Sequence, residues 1–181
     1  MLSVKVGPMF SKKTSWLLDT LNDHLLSGHR IIYINSNKDT RTDTFYSTHN
    51  DLIKNDAKFE KIKVKFLNEV SVENYDVIGI DEGQWFDDIY ENVKKWLSLN
   101  KIIYCVGLDG NYKAETIGHL NQLIPISDFF EKKNSICSIC AREGHIKNAP
   151  FTKYLQDNEI SDPNYTIDTG KNYIPVCRKH F

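Results

Sequence analysis

Val6-Gly7-Pro8-Met9-Phe10-Ser11-Lys12-Lys13-Thr14 follows a short apolar run, Leu2 to Val6, and precedes a helical pattern from Ser15 to Leu26. In the pattern G-x-x-x-x-G-K-[ST], backbone N–H groups and a helix N-terminus wrap phosphates, Lys meets their charge and Ser/Thr reaches magnesium. Gly7, Lys13 and Thr14 keep that spacing, with Pro8, Met9, Phe10 and Ser11 between them. Lys12 replaces the second glycine, and a residue with a Cβ costs about 1–2 kcal/mol where the backbone must be left-handed. Taken by itself the stretch also reads as an ordinary Gly-Pro surface turn, so its neighbours decide.

Outward from the loop, Trp16, Leu17, Leu18, Leu21, Leu25 and Leu26 recur at helical spacing, and Ser27-Gly28 ends the run. Arg30 to Asn35 reads as a buried strand, which completes a βαβ unit with an expected right-handed crossover. Lys61 to Leu67 is a further short strand. Ser36 to Asn50 is polar and without a periodic apolar face, so it reads as a loop, either serving the site or simply solvated.

Tyr75 to Ile80 is apolar and β-branched and runs into Asp81-Glu82-Gly83-Gln84-Trp85-Phe86. An acidic residue at such a strand end holds magnesium in phosphate-loop enzymes, because the ion takes hard oxygen ligands. Alternation along a strand would let Asp81 and Glu82 face two partners, a metal and a reacting hydroxyl. The other reading makes them acids at the positive end of a helix Asp87 to Leu99, a role that Asp87 and Asp88 already fill. Lys101 to Leu108 predicts another buried strand, with Cys105 as a core thiol, and Asp109-Gly110-Asn111 a turn at its carboxyl end. Leu120 to Phe130 predicts a helix end and a last strand.

The chain has 181 residues, 40% hydrophobic, enough for one core with a small appendage. Its net charge of −1 gives no footprint for extended nucleic acid or an anionic membrane. No apolar run reaches the ~20 residues of a membrane helix, and the N-terminus lacks signal-peptide character, so a cytoplasmic location is expected. The tail changes style at Asn134. Cys137-x-x-Cys140 and Cys177-x-x-His180 have the spacing of a structural tetrahedral zinc site, with unpaired thiols as the alternative. A nucleic-acid zinc ribbon would also use such knuckles, but the basic residues of the tail are balanced by acids. Gln156 to Asn172 would form a long loop stapled at both ends.

In collinear order, Gly7-Pro8-Met9-Phe10-Ser11-x-Lys13-Thr14, Lys38-Asp39-Thr40-Arg41, Thr48-His49, Asp81-Glu82-Gly83-Gln84, Leu108-Asp109-Gly110 and the two knuckles resemble the type II thymidine kinases, the cellular and poxvirus type. The resemblance covers nearly the whole chain. It implies an α/β fold, a P-loop parallel sheet flanked by helices (1–133), with a small C-terminal zinc-binding domain (134–181) carrying a long substrate-binding loop. It implies transfer of the ATP γ-phosphoryl group to the 5′-hydroxyl of thymidine, deoxyuridine being a further acceptor, with magnesium and a structural zinc as cofactors. A homo-oligomer, dimer or tetramer, is implied too. The partners are a nucleoside and a nucleoside triphosphate, with no nucleic acid and no membrane.

By family position Glu82 is the catalytic base and Arg41 brings positive charge to the transfer. The loop Gly7 to Thr14, Asp81 and Gln84 would hold the nucleotide, with Thr14 and Asp81 on magnesium. Asp39, Trp85, Ile117 and Tyr173 would meet the nucleoside, and the backbone of Ser161 to Tyr173 would read thymine. Zinc ligands are Cys137, Cys140, Cys177 and His180. Four departures stand out. Lys12 replaces the loop glycine, Thr116-Ile117 a common Pro-Phe pair, Tyr154 an arginine and His180 a cysteine. The alternative function is a nucleotide-binding homologue with little or no turnover.

Overall fold

The computed structural model describes residues 1–39, 57–156 and 172–181. Strands β1 (Leu2–Val6), β2 (Ile31–Ser36), β3 (Phe59–Val64), β4 (Val77–Ile80), β5 (Ile102–Gly107) and β6 (Phe129–Lys132) form one sheet in the order β3-β2-β4-β5-β1-β6. Every pairing in it is parallel. Such a sheet must be covered on both faces, which is why its central strands are runs of Ile, Val and Tyr rather than alternating sequences. Helix α1 (Lys13–Leu26) covers one face through Leu17, Leu18, Leu21 and Leu25. Helix α2 (Ile89–Ser98) covers the other through Ile89, Val93 and Trp96, with Phe86 and Leu120 beside it. Gly79 lets α1 approach, since a Cβ there would run into Leu21.

The predicted elements lie where expected, with shifted ends. The helix predicted from Ser15 begins at Lys13, and the one predicted from Asp87 begins at Ile89. Asp88 does not cap α2 with its side chain, because its carboxylate accepts the N–H groups of Leu67 and Asn68 at 3.1 and 3.0 Å. Leu67, read as the end of a strand, opens a short 3-10 turn instead. Leu120–Ile126 is 3-10 rather than α-helical and contains Pro125, which has no N–H to give to a helix.

Two small antiparallel pairs follow. β7 (Ser135–Ile136) pairs with β8 (Asn148–Ala149), and β9 (Phe151–Tyr154) with β10 (Tyr173–Val176). Between β7 and β8 lies the short helix α3 (Ser138–Arg142). Their shared core is small: Cys137, Cys140, Ala149, Val176 and Cys177.

Candidate active site

The residues singled out in the sequence at Gly7–Thr14 and Asp81–Gln84 lie at the carboxyl ends of β1 and β4, where ligand sites occur in open parallel sheets. After β1 the chain turns at Gly7, where a Cβ would collide with the carbonyl oxygen of Lys133 at the end of β6. The loop folds on itself. Ser11 Oγ donates to the Pro8 carbonyl at 2.9 Å, and Lys13 Nζ donates to that carbonyl at 2.8 Å and to Ser11 Oγ at 3.2 Å. This curls the loop around the ammonium group, directly ahead of the helix N-terminus where phosphates bind. Lys12 is left-handed at φ 58°, as the missing glycine predicts, and Phe10 is left-handed as well at φ 62°.

Thr14, in the first turn of α1, donates through its hydroxyl to Asp81 Oδ1 at 3.2 Å. The other oxygen, Oδ2, accepts the Tyr33 hydroxyl at 2.7 Å, and the Glu82 N–H reaches Oδ1 at 2.9 Å. Asp81 is 4% exposed. Burial, and then the charge of Glu82, raise its carboxyl from 3.8 to about 6 against the pull of these three donors. Burial and the nearby Asp81 carboxylate push the Tyr33 phenol well above its usual range, so it stays a donor. A buried carboxylate surrounded by neutral donors, with a threonine hydroxyl beside it, suits a hard divalent cation.

Glu82 leaves β4 in a left-handed conformation, φ 51° and ψ 43°. Its divergence from Asp81 therefore comes from a turn rather than from the alternation of a strand. Gln84, buried within that turn, donates through Nε2 to Glu82 Oε2 at 2.6 Å, and its Oε1 accepts the Leu108 N–H at 2.9 Å. Gly107 and Gly118 make room for it, since a Cβ at either would strike Gln84. Both ends of the amide are engaged, so this side chain fixes Glu82 against β5.

Asp39 is buried and its Oδ2 accepts from Asn35 Nδ2 at 3.1 Å. Trp85 follows Gln84 in the same turn, with Lys38 Nζ 5.8 Å from its ring centre. Ile117 is buried and precedes Gly118, whose backbone lies close to that of Gln84. Tyr173 belongs to a cluster of rings, 5.0 Å from Tyr154 and 6.4 Å from Tyr112. Arg41, Thr48-His49 and 161–171 of the thymine-reading stretch lie outside the described residues.

The sequence reading gave no role to Tyr33, Tyr112 or Thr152. Tyr33 was hidden in an apolar strand, although a buried tyrosine needs a partner for its hydroxyl. Thr152 of β9 accepts the Met9 N–H at 3.0 Å, and Ser135 Oγ donates to the Phe10 carbonyl at 3.1 Å. The tail thus grips the phosphate loop. Between them lies a cavity of about 90 Å³ lined by Pro8, Asp109, Asn111, Lys132 and Thr152.

In the tail, donor atoms of Cys137, Cys140, Cys177 and His180 lie within 4.8 Å of one another. His180 Nδ1 is 3.4, 3.5 and 3.6 Å from the sulfurs of Cys137, Cys140 and Cys177, and the sulfurs of Cys140 and Cys177 are 3.9 Å apart. A tetrahedral zinc with ordinary bond lengths would set N···S edges of about 3.6 Å and S···S edges of about 3.8 Å. The four donors fit that ion.

The family model for thymidine kinase matches residues 1–181. The chain belongs to the thymidine kinase family. The thymidine kinase of vaccinia virus strain Tian Tan is 32% identical over 181 residues, covering 98% of this chain and 94% of its own. Thymidine kinase a of Arabidopsis thaliana is 34% identical over 183 residues, with 98% and 73% covered. That of Yaba monkey tumor virus is 32% identical over 179 residues, with 98% and 92% covered. The family is one of phosphotransferases acting on a nucleoside. Among the described residues, no helix is long and apolar enough to cross a membrane.

Proposed function

We propose that the chain transfers the γ-phosphoryl group of ATP to the 5′-hydroxyl of thymidine, and to that of deoxyuridine, giving the nucleoside monophosphate and ADP. The observation that carries this reading is the 3.2 Å contact of Thr14 with Asp81, which joins the phosphate loop to the acidic turn that holds Glu82. Residues Gly7 to Thr14 wrap the triphosphate, and Lys13 exchanges its contact with Pro8 for the phosphate oxygens. Thr14 and Asp81 would hold magnesium, which when bound would neutralise phosphate charge. Glu82, steadied by Gln84, accepts the proton of the attacking hydroxyl, and Arg41 adds positive charge to the transfer. Asp39, Trp85, Ile117 and Tyr173 surround the nucleoside. Zinc on Cys137, Cys140, Cys177 and His180 fixes the tail, and the working form is a cytoplasmic homo-oligomer.

Lys12 favours a second reading. Its left-handed backbone at φ 58° stands where the usual loop has glycine, and a chain so altered would bind nucleotide with little turnover. One assay separates the two: magnesium-ATP-dependent phosphorylation of thymidine, with deoxycytidine and deoxyguanosine run alongside. Thymidine-selective product supports transfer. Binding of ATP and thymidine to the folded, zinc-loaded chain without product supports the second reading.

A further inference from the structure

Tyr33 lies in β2, opposite Gly79 of β4. Ile31, Tyr33 and Val77 pack together on the α1 side of the sheet, and side chains on one face recur every second residue. Gly79 and then Asp81 therefore follow Val77 along that face. The Tyr33 ring lies beside a residue with no side chain, and its hydroxyl reaches past it to Asp81 Oδ2 at 2.7 Å, with neither residue more than 4% exposed. Oδ1 is turned the other way, toward the Thr14 hydroxyl and the Glu82 N–H.

We propose that Tyr33 is the positioning residue for the carboxylate with which this site takes its divalent cation: the phenol hydroxyl fixes Oδ2 and so keeps Oδ1 facing Thr14. The inference rests on the reading of Asp81 and Thr14 as cation ligands given above. A carboxylate torsion is broad and roughly two-fold, so without an anchor on Oδ2 the group is free to turn and Oδ1 loses its fixed direction toward Thr14. Phenylalanine at this position would fill the same space in the packed face and leave Oδ2 buried without a donor. Partners that orient a metal ligand are worth about 10–100-fold in metal affinity.

The test compares the full chain, zinc-loaded, with its Tyr33→Phe variant, using Mn²⁺ as the probe and ADP present, and following free Mn²⁺ by its paramagnetic signal. ADP affinity and melting temperature without added divalent cation are measured beside it. The expected result is a half-saturating Mn²⁺ concentration raised about tenfold or more, with ADP affinity in the absence of added divalent cation unchanged. In an Asp81→Asn background the same substitution should have no further effect on Mn²⁺, because Tyr33 acts through Asp81. Unchanged Mn²⁺ binding in Tyr33→Phe overturns the inference alone, as does a loss that persists in the Asp81→Asn background. A wild-type chain that takes up no Mn²⁺ beyond that held by ADP itself overturns the inference together with the cation reading beneath it.

Discussion

Lys12 holds φ 58° and ψ 34° immediately ahead of α1, a conformation that costs an L-residue about 1–2 kcal/mol. Lys12→Gly removes that strain but enlarges the entropy of the unfolded chain, so the net gain is about 0.5–1 kcal/mol. For a chain of this size that is a rise in melting temperature of about 2 °C; a lower melting point would mean that the loop has relaxed around its lysine. This strain was legible in the sequence because a glycine was missing from a pattern. Phe10 was not, since nothing in that pattern asks for a left-handed residue there. Asp81 supplies the second expectation at this scale. Its carboxyl sits at about 6 in the fold, above 3.8, because of burial first and Glu82 second. Between about pH 4 and 6 the folded chain keeps a proton that the unfolded chain has lost, so this group makes stability fall as pH rises. The cost is absent below the ordinary carboxyl range and present in full only above the raised value. Urea titrations without added magnesium across that range should show the decline, and Asp81→Asn should flatten it. An equal slope in both proteins would place the cost elsewhere.

The turn from Asp81 to Phe86 shows what a sequence pattern conveys at the level of an element. Its acidic pair was visible at the end of an apolar run, and so was its place at a strand terminus. The mutual orientation of the pair was not, because it depends on Glu82 adopting φ 51° after the strand has ended at Ile80. The central strands were legible for a simple reason: buried parallel strands are unbroken apolar runs, whereas the ends of elements are decided by distant partners, as at the start of α2, where the Leu67 and Asn68 amides claim Asp88. Gln84 stood in the recognised stretch, but its two hydrogen bonds, to Glu82 and from Leu108, link residues far apart in sequence. Gln84→Leu should strand the Leu108 N–H and free Glu82. The expected cost is about 1–3 kcal/mol of stability, together with a fall in kcat of about tenfold or more and a smaller change in the thymidine KM. An unchanged kcat in the folded variant would show that Glu82 needs no support from this side chain.

Across the whole molecule, the sheet and the tail meet at the phosphate loop, where Met9 donates to Thr152 and Phe10 accepts from Ser135. The tail has few apolar residues of its own to pack, so the zinc proposed for its cysteine–histidine cluster would supply much of its folding energy. Removing zinc with a chelator should abolish the thermal shift produced by thymidine and leave the secondary structure of the sheet in place. ADP binding should weaken about fivefold, the worth of one hydrogen bond of about 1 kcal/mol at the loop. Intact ADP binding would mean that the loop keeps its shape unaided. The knuckle spacing made the metal cluster legible, but the grip on the loop rests on Thr152 and Ser135, short polar residues of the kind that any surface strand carries. The burial of the cysteines has a practical consequence as well. Cys105 is sealed in the sheet, and Cys137, Cys140 and Cys177 turn inward, none more than 6% exposed. A cysteine introduced on the outer side of α1, at the exposed Asp19, would be the single thiol open to a maleimide dye, so fluorescence distances could be followed in the chain without first stripping it of its native sulfur.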